Sequence, residues 1–140
     1  MGKRVGSRAI IINDNKLLVM FRRKKKENGE IREYYVAPGG GQNENETLEE
    51  TVIRELKEEF SVDIKILGYL GKDEDDKTIN HFFHCKIVNG IPTLGGEELD
   101  RMNPDNYYEI REIPISDINN IDLVAKDKVT LALNKEYQEQ

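Results

Sequence analysis

Residues Pro38 to Val62 constrain this chain most. They read Pro38-Gly39-Gly40-Gly41, a short polar turn, and then a glutamate-dense run that ends Arg54-Glu55-Leu56-Lys57-Glu58-Glu59-Phe60-Ser61-Val62. Thr47 followed three positions later by Glu50 is a capping-box pair, so the spacing predicts a helix starting there. At about 100° per residue, Glu55, Glu58 and Glu59 fall within roughly one third of the helix circumference. Leu48, Val52, Leu56 and Phe60, with Ile53 beside them, form the adjoining apolar stripe. The helix can therefore pack on a core while it holds three carboxylates at the core's edge. Carboxylates that close repel one another, and a cation neutralises them; an all-oxygen ligand set favours Mg²⁺, with Mn²⁺ as the alternative, over Zn²⁺. Arg54 is the internal counter-charge, because a planar guanidinium can hold one carboxylate by two hydrogen bonds. The Gly39-Gly40-Gly41 loop lets backbone approach a ligand or metal without obstruction from a Cβ. A solvated acidic helix face would explain the glutamates alone. It does not explain the glycine loop, Glu46 and the Arg-Glu-x-x-Glu-Glu core together.

The full spacing is Gly40, five residues, Glu46, seven residues, then Arg54-Glu55-Leu56, Glu58-Glu59 and Val62. It resembles the signature box of the Nudix hydrolases, and the chain is identified as a MutT-like member of that family. One position departs: Ser61 stands where the family has a glycine that ends the helix in a left-handed conformation. A serine there costs about 1 kcal/mol or less and removes no metal ligand.

The resemblance implies an α/β/α sandwich with a mixed sheet between helices. It implies that Glu55, Glu58 and Glu59, with the Gly39 carbonyl, hold divalent metal, and that Arg54 and Glu46 orient those ligands. Gly40 is placed beside the substrate. The general base is left among Glu58, Glu59 and Glu97; Glu97, with Glu98 as the alternative, matches an extra loop glutamate of some relatives. Basic residues at the end of an early strand lie near substrate phosphates in MutT-like enzymes, which points to one of Arg22 and Arg23. The implied reaction is hydrolysis of a nucleoside diphosphate linked to a group X. For a nucleoside triphosphate the products are a monophosphate and pyrophosphate. The proline of many ADP-ribose enzymes is missing near Lys77 and Thr78, the tyrosine of diadenosine-polyphosphate enzymes is missing near Ile79 and Asn80, and the upstream coenzyme A pattern is missing too. These absences favour a nucleoside triphosphate, normal or oxidised. The alternatives are an ADP-ribose or nucleotide-sugar pyrophosphatase, an enzyme of RNA 5′ ends or isoprenoid diphosphates, and a nucleotide-binding sensor that does not cleave. Homodimers are common in the family.

Composition bounds the rest. A chain of 140 residues is read as one domain, 1–140, large enough for a core without staples. The net charge of −6 argues against a general nucleic-acid binder. Cys85 is alone, within an apolar strand-like run, and reads as a buried structural thiol. Neither a signal peptide nor an apolar run of membrane-spanning length is evident, so a cytoplasmic protein is expected, with no membrane partner.

In chain order, Val5–Asn13 and Lys16–Phe21 form a hairpin around Asn13-Asp14-Asn15. Lys24 to Lys26 are read as solvated. Glu33–Ala37 is a short strand into the glycine loop; Tyr34 and Tyr35 alternate faces, one in the core and the other able to line a base pocket. Val62–Leu70 and Thr78–Val88 are strands, and the charged run Lys72–Lys77 between them is a loop with its acids at a solvent-exposed tip. His81 and His84 point to opposite sides and form no metal pair. Asn106–Ile113 is a further strand, stopped by Pro114. The last helix begins near Asp122, with Leu123, Val129, Leu131 and Leu133 among its apolar positions. This order of elements is α+β.

Overall fold

The structure, a computed structural model, describes residues 2–137, without the side chains of Glu97 and Glu98. Strand β1 (Arg4–Asn13) returns as β2 (Lys16–Lys25) through Asp14 and Asn15, both at positive φ (52° and 59°), the backbone that a tight two-residue hairpin turn needs. Strands β3 (Ile31–Val36) and β4 (Gly39–Gly41) lead into helix α1 (Leu48–Phe60). Then come β5 (Asp63–Glu74), β6 (Thr78–Asn89), a short helix α2 (Gly96–Asp100), β7 (Asn106–Pro114), a 3₁₀ turn over Ile115–Asn120 and helix α3 (Lys126–Leu133).

The sheet is mixed. β1 runs parallel to β6 and antiparallel to β4, and β5 closes that wing against β6. β2 lies between β3 and β7, antiparallel to both. The wings join only at the hairpin end, where Ile12 faces Leu17 and Asn13 faces Lys16. Beyond it β1 and β2 part, and a cleft opens between them.

Alternation along the strands builds a core on each face. Ala9, Ile11, Leu18, Met20, Phe83 and Cys85 meet Val52, Leu56 and Phe60 of α1. Ile10, Leu17, Val19 and Phe82 meet Val129 and Ala132 of α3. This is the expected sandwich of helices about a mixed sheet.

Three local expectations are corrected. Ile53 is 42 % exposed and lies outside the apolar stripe, because it sits on the solvent side of Val52. β5 does not stop at Leu70: it runs through Lys72 and Asp73 to Glu74, so the hairpin tip is shorter than the charge run suggests. The last helix starts at Lys126, not near Asp122. Residues 122–124 are held extended instead, with Tyr35 N donating to the Asp122 carbonyl and Val124 N donating to the Tyr35 carbonyl, so Leu123 reaches the core as a strand-like residue.

Candidate active site

The site starts from how α1 begins and ends. Thr47 accepts from the Glu50 backbone N–H while the Glu50 carboxylate accepts from the Thr47 N–H, closing the expected capping box. Ser61 takes the left-handed conformation (φ 59°, ψ 31°), and its N–H bonds back to carbonyls of the last turn. Its hydroxyl also donates to the Thr93 carbonyl, tying the following loop to the helix end.

Between those ends, single carboxylate oxygens of Glu55, Glu58 and Glu59 lie within 4.8 Å of one another. Arg54 organises the set. Its Nε and Nη2 donate to the two oxygens of Glu46 (2.6 and 3.0 Å). Its Nη1 donates to Glu55 (3.0 Å) and to Glu58 (3.1 Å), and its Nη2 also reaches the Gly41 carbonyl (2.8 Å). Glu46 further accepts from the Asn43 N–H and the Thr51 hydroxyl. The Arg54 guanidinium, against a smaller opposing effect of burial, holds Glu46 down to about 2. Glu46 in turn raises the Arg54 pKa above its already high ordinary value.

The glycine loop is shaped around this cluster. A Cβ on Gly40 would meet the Glu55 carboxylate, so a larger residue there would displace that side chain from its place. Gly39 has φ 154° and sits against Ser7 and Arg8 of β1, with no room for a side chain. The Glu59 carboxylate, on a residue only 5 % exposed, lies beside Gly96 at the start of α2. The loop approaches because Gly95 N donates to the Glu59 carbonyl and Thr93 N to the Phe60 carbonyl. The side chains of Glu97 and Glu98, the expected extra acids, lie outside the described residues.

Parity separates Arg22 from Arg23. Adjacent strand residues point to opposite faces. Arg22 packs between the rings of Tyr34 and Tyr108, donates to the Tyr108 hydroxyl (3.1 Å) and lines the cleft. Its Nε is buried without a hydrogen-bond partner. Arg23 turns the other way, pairs with Glu33 and lies near the Phe21 and Tyr107 rings. Tyr34 is buried at the cleft edge, and Tyr35 packs into the α3-side core.

The cleft holds about 650 Å³ and is lined by Arg8, Arg22, Lys24, Tyr34, Asp73, Asn80 and Phe82, among others. Toward the glutamates, Arg8 and Arg22 also line a smaller recess with Gly39 and Glu59. Arg8, Thr78 and Asn80 reach a second recess with Gly40, Gly41 and Arg4, and Arg4 borders the hollow over Glu55, Glu58 and Glu59. The sequence reading missed Arg4, Arg8, Asp73 and Asn80. The available signal was Arg8, a cation directly before the apolar run Ala9-Ile10-Ile11-Ile12; its Nη1 donates to the Ala37 carbonyl (2.7 Å) just before the glycine loop. His81 and His84 do face apart, bonding Tyr69 and Tyr137.

A family model, the NUDIX domain, matches residues 2–132. The chain belongs to the NUDIX family. A curated relative, the ADP-ribose pyrophosphatase of Methanocaldococcus jannaschii, is 28 % identical over 111 residues, covering 75 % of this chain and 61 % of the relative. The chain thus spans less than two thirds of that relative's length. Solved NUDIX structures share the fold. The MutT NUDIX hydrolase from Burkholderia pseudomallei aligns with a TM-score of 0.68 at 21 % identity, over 96 % of this chain and 98 % of its own. An ADP-ribose pyrophosphatase from Streptococcus suis aligns with a TM-score of 0.66 at 16 % identity, over 99 % and 96 %. Among the described residues, no helix of this NUDIX chain is long and apolar enough to cross a membrane.

Proposed function

We propose that this NUDIX protein is a pyrophosphohydrolase that cleaves the diphosphate of a small nucleotide, with a nucleoside triphosphate, normal or oxidised, as the favoured substrate class. The observation that carries the reading is the convergence of the Glu55, Glu58 and Glu59 carboxylates within 4.8 Å, with a cleft large enough for a nucleotide that shares Arg8 and Arg22 with the recess at Glu59. The donor set is all oxygen and suits a hard divalent cation, Mg²⁺ or Mn²⁺. Glu55, Glu58 and Glu59 would hold it, with the Gly39 carbonyl nearby. When bound, such a cation supplies neutralisation of the diphosphate oxygens and lowers the pKa of attacking water.

The chain's own residues do the rest. Arg54, fixed bidentately on Glu46, keeps Glu55 and Glu58 turned toward one another. Gly40 leaves room for the Glu55 carboxylate, and Gly39 for close approach of β4 to β1. Of the two candidate arginines, Arg22 takes the phosphate-binding role: it lines the cleft, between the rings of Tyr34 and Tyr108, and Arg23 does not. Arg23 is spent on Glu33. Glu58, Glu59 and Glu97 remain the candidates for the group that takes the proton from water. The ADP-ribose pyrophosphatase relatives make ADP-ribose the second reading.

The test is release of phosphate and pyrophosphate with Mg²⁺ over nucleoside triphosphates, oxidised guanine nucleotides, ADP-ribose and dinucleoside polyphosphates. Cleavage of one class, lost in Arg22→Met through a raised KM but kept in Arg23→Met, supports the reading. Nucleotide binding without cleavage of any member replaces it with a sensor.

A further inference from the structure

The cleft has a wall, on the other wing from Arg22, that the proposed hydrolysis does not use. Because β5 continues to Glu74, Asp73 is a strand residue with a set direction rather than part of a loose tip. Its side chain is 45 % exposed and lines the cleft together with Asn80, Phe82 and Val124. Its Oδ1 accepts from Lys128 Nζ of α3 at 2.9 Å. Lys128 is 5 % exposed; its ammonium also meets Asp127 Oδ2 at 2.7 Å and lies 5.8 Å from the Phe82 ring centre. A lysine buried this far needs carboxylate partners to stay charged. Asp127 on the same helix is one. The second bond, across to β5, fixes the rotamer of an otherwise half-exposed aspartate. The other oxygen of Asp73 accepts no hydrogen bond among the described residues.

An ionised carboxylate accepts hydrogen bonds and repels anions. With Arg22 and Lys24 on β2 of the other wing and Arg8 on β1 between them and Asp73, the cleft is complementary to a ligand with phosphates at one end and a hydrogen-bond donor at the other. We propose that Asp73, held in place by Lys128, is a specificity-determining residue that accepts a hydrogen bond from an amino or hydroxyl donor at the end of the substrate remote from the diphosphate. This rests on the nucleotide reading above and deepens it. Asp73 touches the substrate; Lys128 is a positioning residue that acts through it.

The experiment compares ligand pairs that differ by one donor group: guanosine and inosine triphosphates, adenosine and purine-riboside triphosphates, and ribo- and 2′-deoxy forms. Dissociation constants come from calorimetry with EDTA, which stops turnover; kcat and KM come from assays with Mg²⁺. The proteins are wild type, Asp73→Ala, Lys128→Met and Lys128→Arg. The wild type is expected to bind the donor-bearing member of at least one pair tenfold or more tightly. Asp73→Ala brings that ratio within twofold, through KM and not kcat. Lys128→Met does the same, and Lys128→Arg restores discrimination. A wild-type ratio within twofold for every pair overturns the proposal, as does a ratio that survives Asp73→Ala or an equal loss on both members of each pair. Donor-dependent binding that Asp73→Ala abolishes supports it even where Mg²⁺ brings no cleavage, an outcome that overturns only the hydrolase reading.

Discussion

Arg54 is the residue on which the site turns. Its donors are divided among both oxygens of Glu46, one each of Glu55 and Glu58, and the Gly41 carbonyl, an arrangement that a lysine's single ammonium cannot reproduce. Glu58 is 52 % exposed on its side chain, so that arm adds little stability; the Glu46 arm, at 14 %, adds most. Arg54→Lys is expected to lower stability by about 2 kcal/mol in urea unfolding, because Glu46 loses its bidentate partner and a single ammonium cannot bond all three carboxylates at once. Glu46 carries a pH signature of the same contact. Its folded pKa of about 2 lies below the unfolded value, so its contribution is present above about pH 4.5 and fades as pH falls toward 2. Wild type should exceed Glu46→Gln by about 2 kcal/mol at pH 6, after allowance for solvent screening, and the gap should close on that acid limb. A gap that does not change with pH would show that Glu46 acts by packing and not by charge.

At the scale of elements, α1 was legible because its signals are local. The Thr47–Glu50 capping box, the apolar spacing and the box pattern all act within a few turns of chain, and the helix boundaries followed. The resemblance to the family box implied the αL site at Ser61, and the structure adds a compensation, the hydroxyl bond to Thr93. Ser61→Gly gains about 1 kcal/mol of backbone relief and loses a hydrogen bond of similar size, so its stability should lie within about 0.5 kcal/mol of wild type. Ser61→Ala keeps the strain, loses the bond and should fall by about 1 kcal/mol; urea unfolding of both tests this. Features set by distant contacts were not legible. The charge run Lys72–Lys77 looks like a solvated loop, yet Asp73 is recruited by Lys128, 55 positions away. The last helix starts late because Tyr35, far upstream, captures residues 122 and 124 as strand. Arg22 and Arg23 differ only by parity, which became decisive once β2 was known to run on to Lys25.

At the scale of the molecule, the two wings share only their hairpin end, and that divergence opens the cleft that leads to the glutamates. The cluster is a concentration of like charge that the fold holds together, which predicts a linkage. Mg²⁺ or Mn²⁺ bound only by the folded state should raise the melting temperature as concentration rises, by about 2.7 kcal/mol of stability at one hundred times the dissociation constant. Glu55→Gln should reduce that shift, and Lys57→Gln, on the exposed side of α1, should leave it intact. The most direct test of the central claim is the rate of nucleotide diphosphate cleavage in wild type and in folded Glu59→Gln while Mg²⁺ is titrated from EDTA-chelated to saturating. Cleavage that requires Mg²⁺ and falls at least a hundredfold in Glu59→Gln is the predicted result. Cleavage that is independent of Mg²⁺, or unchanged in Glu59→Gln, would contradict the account.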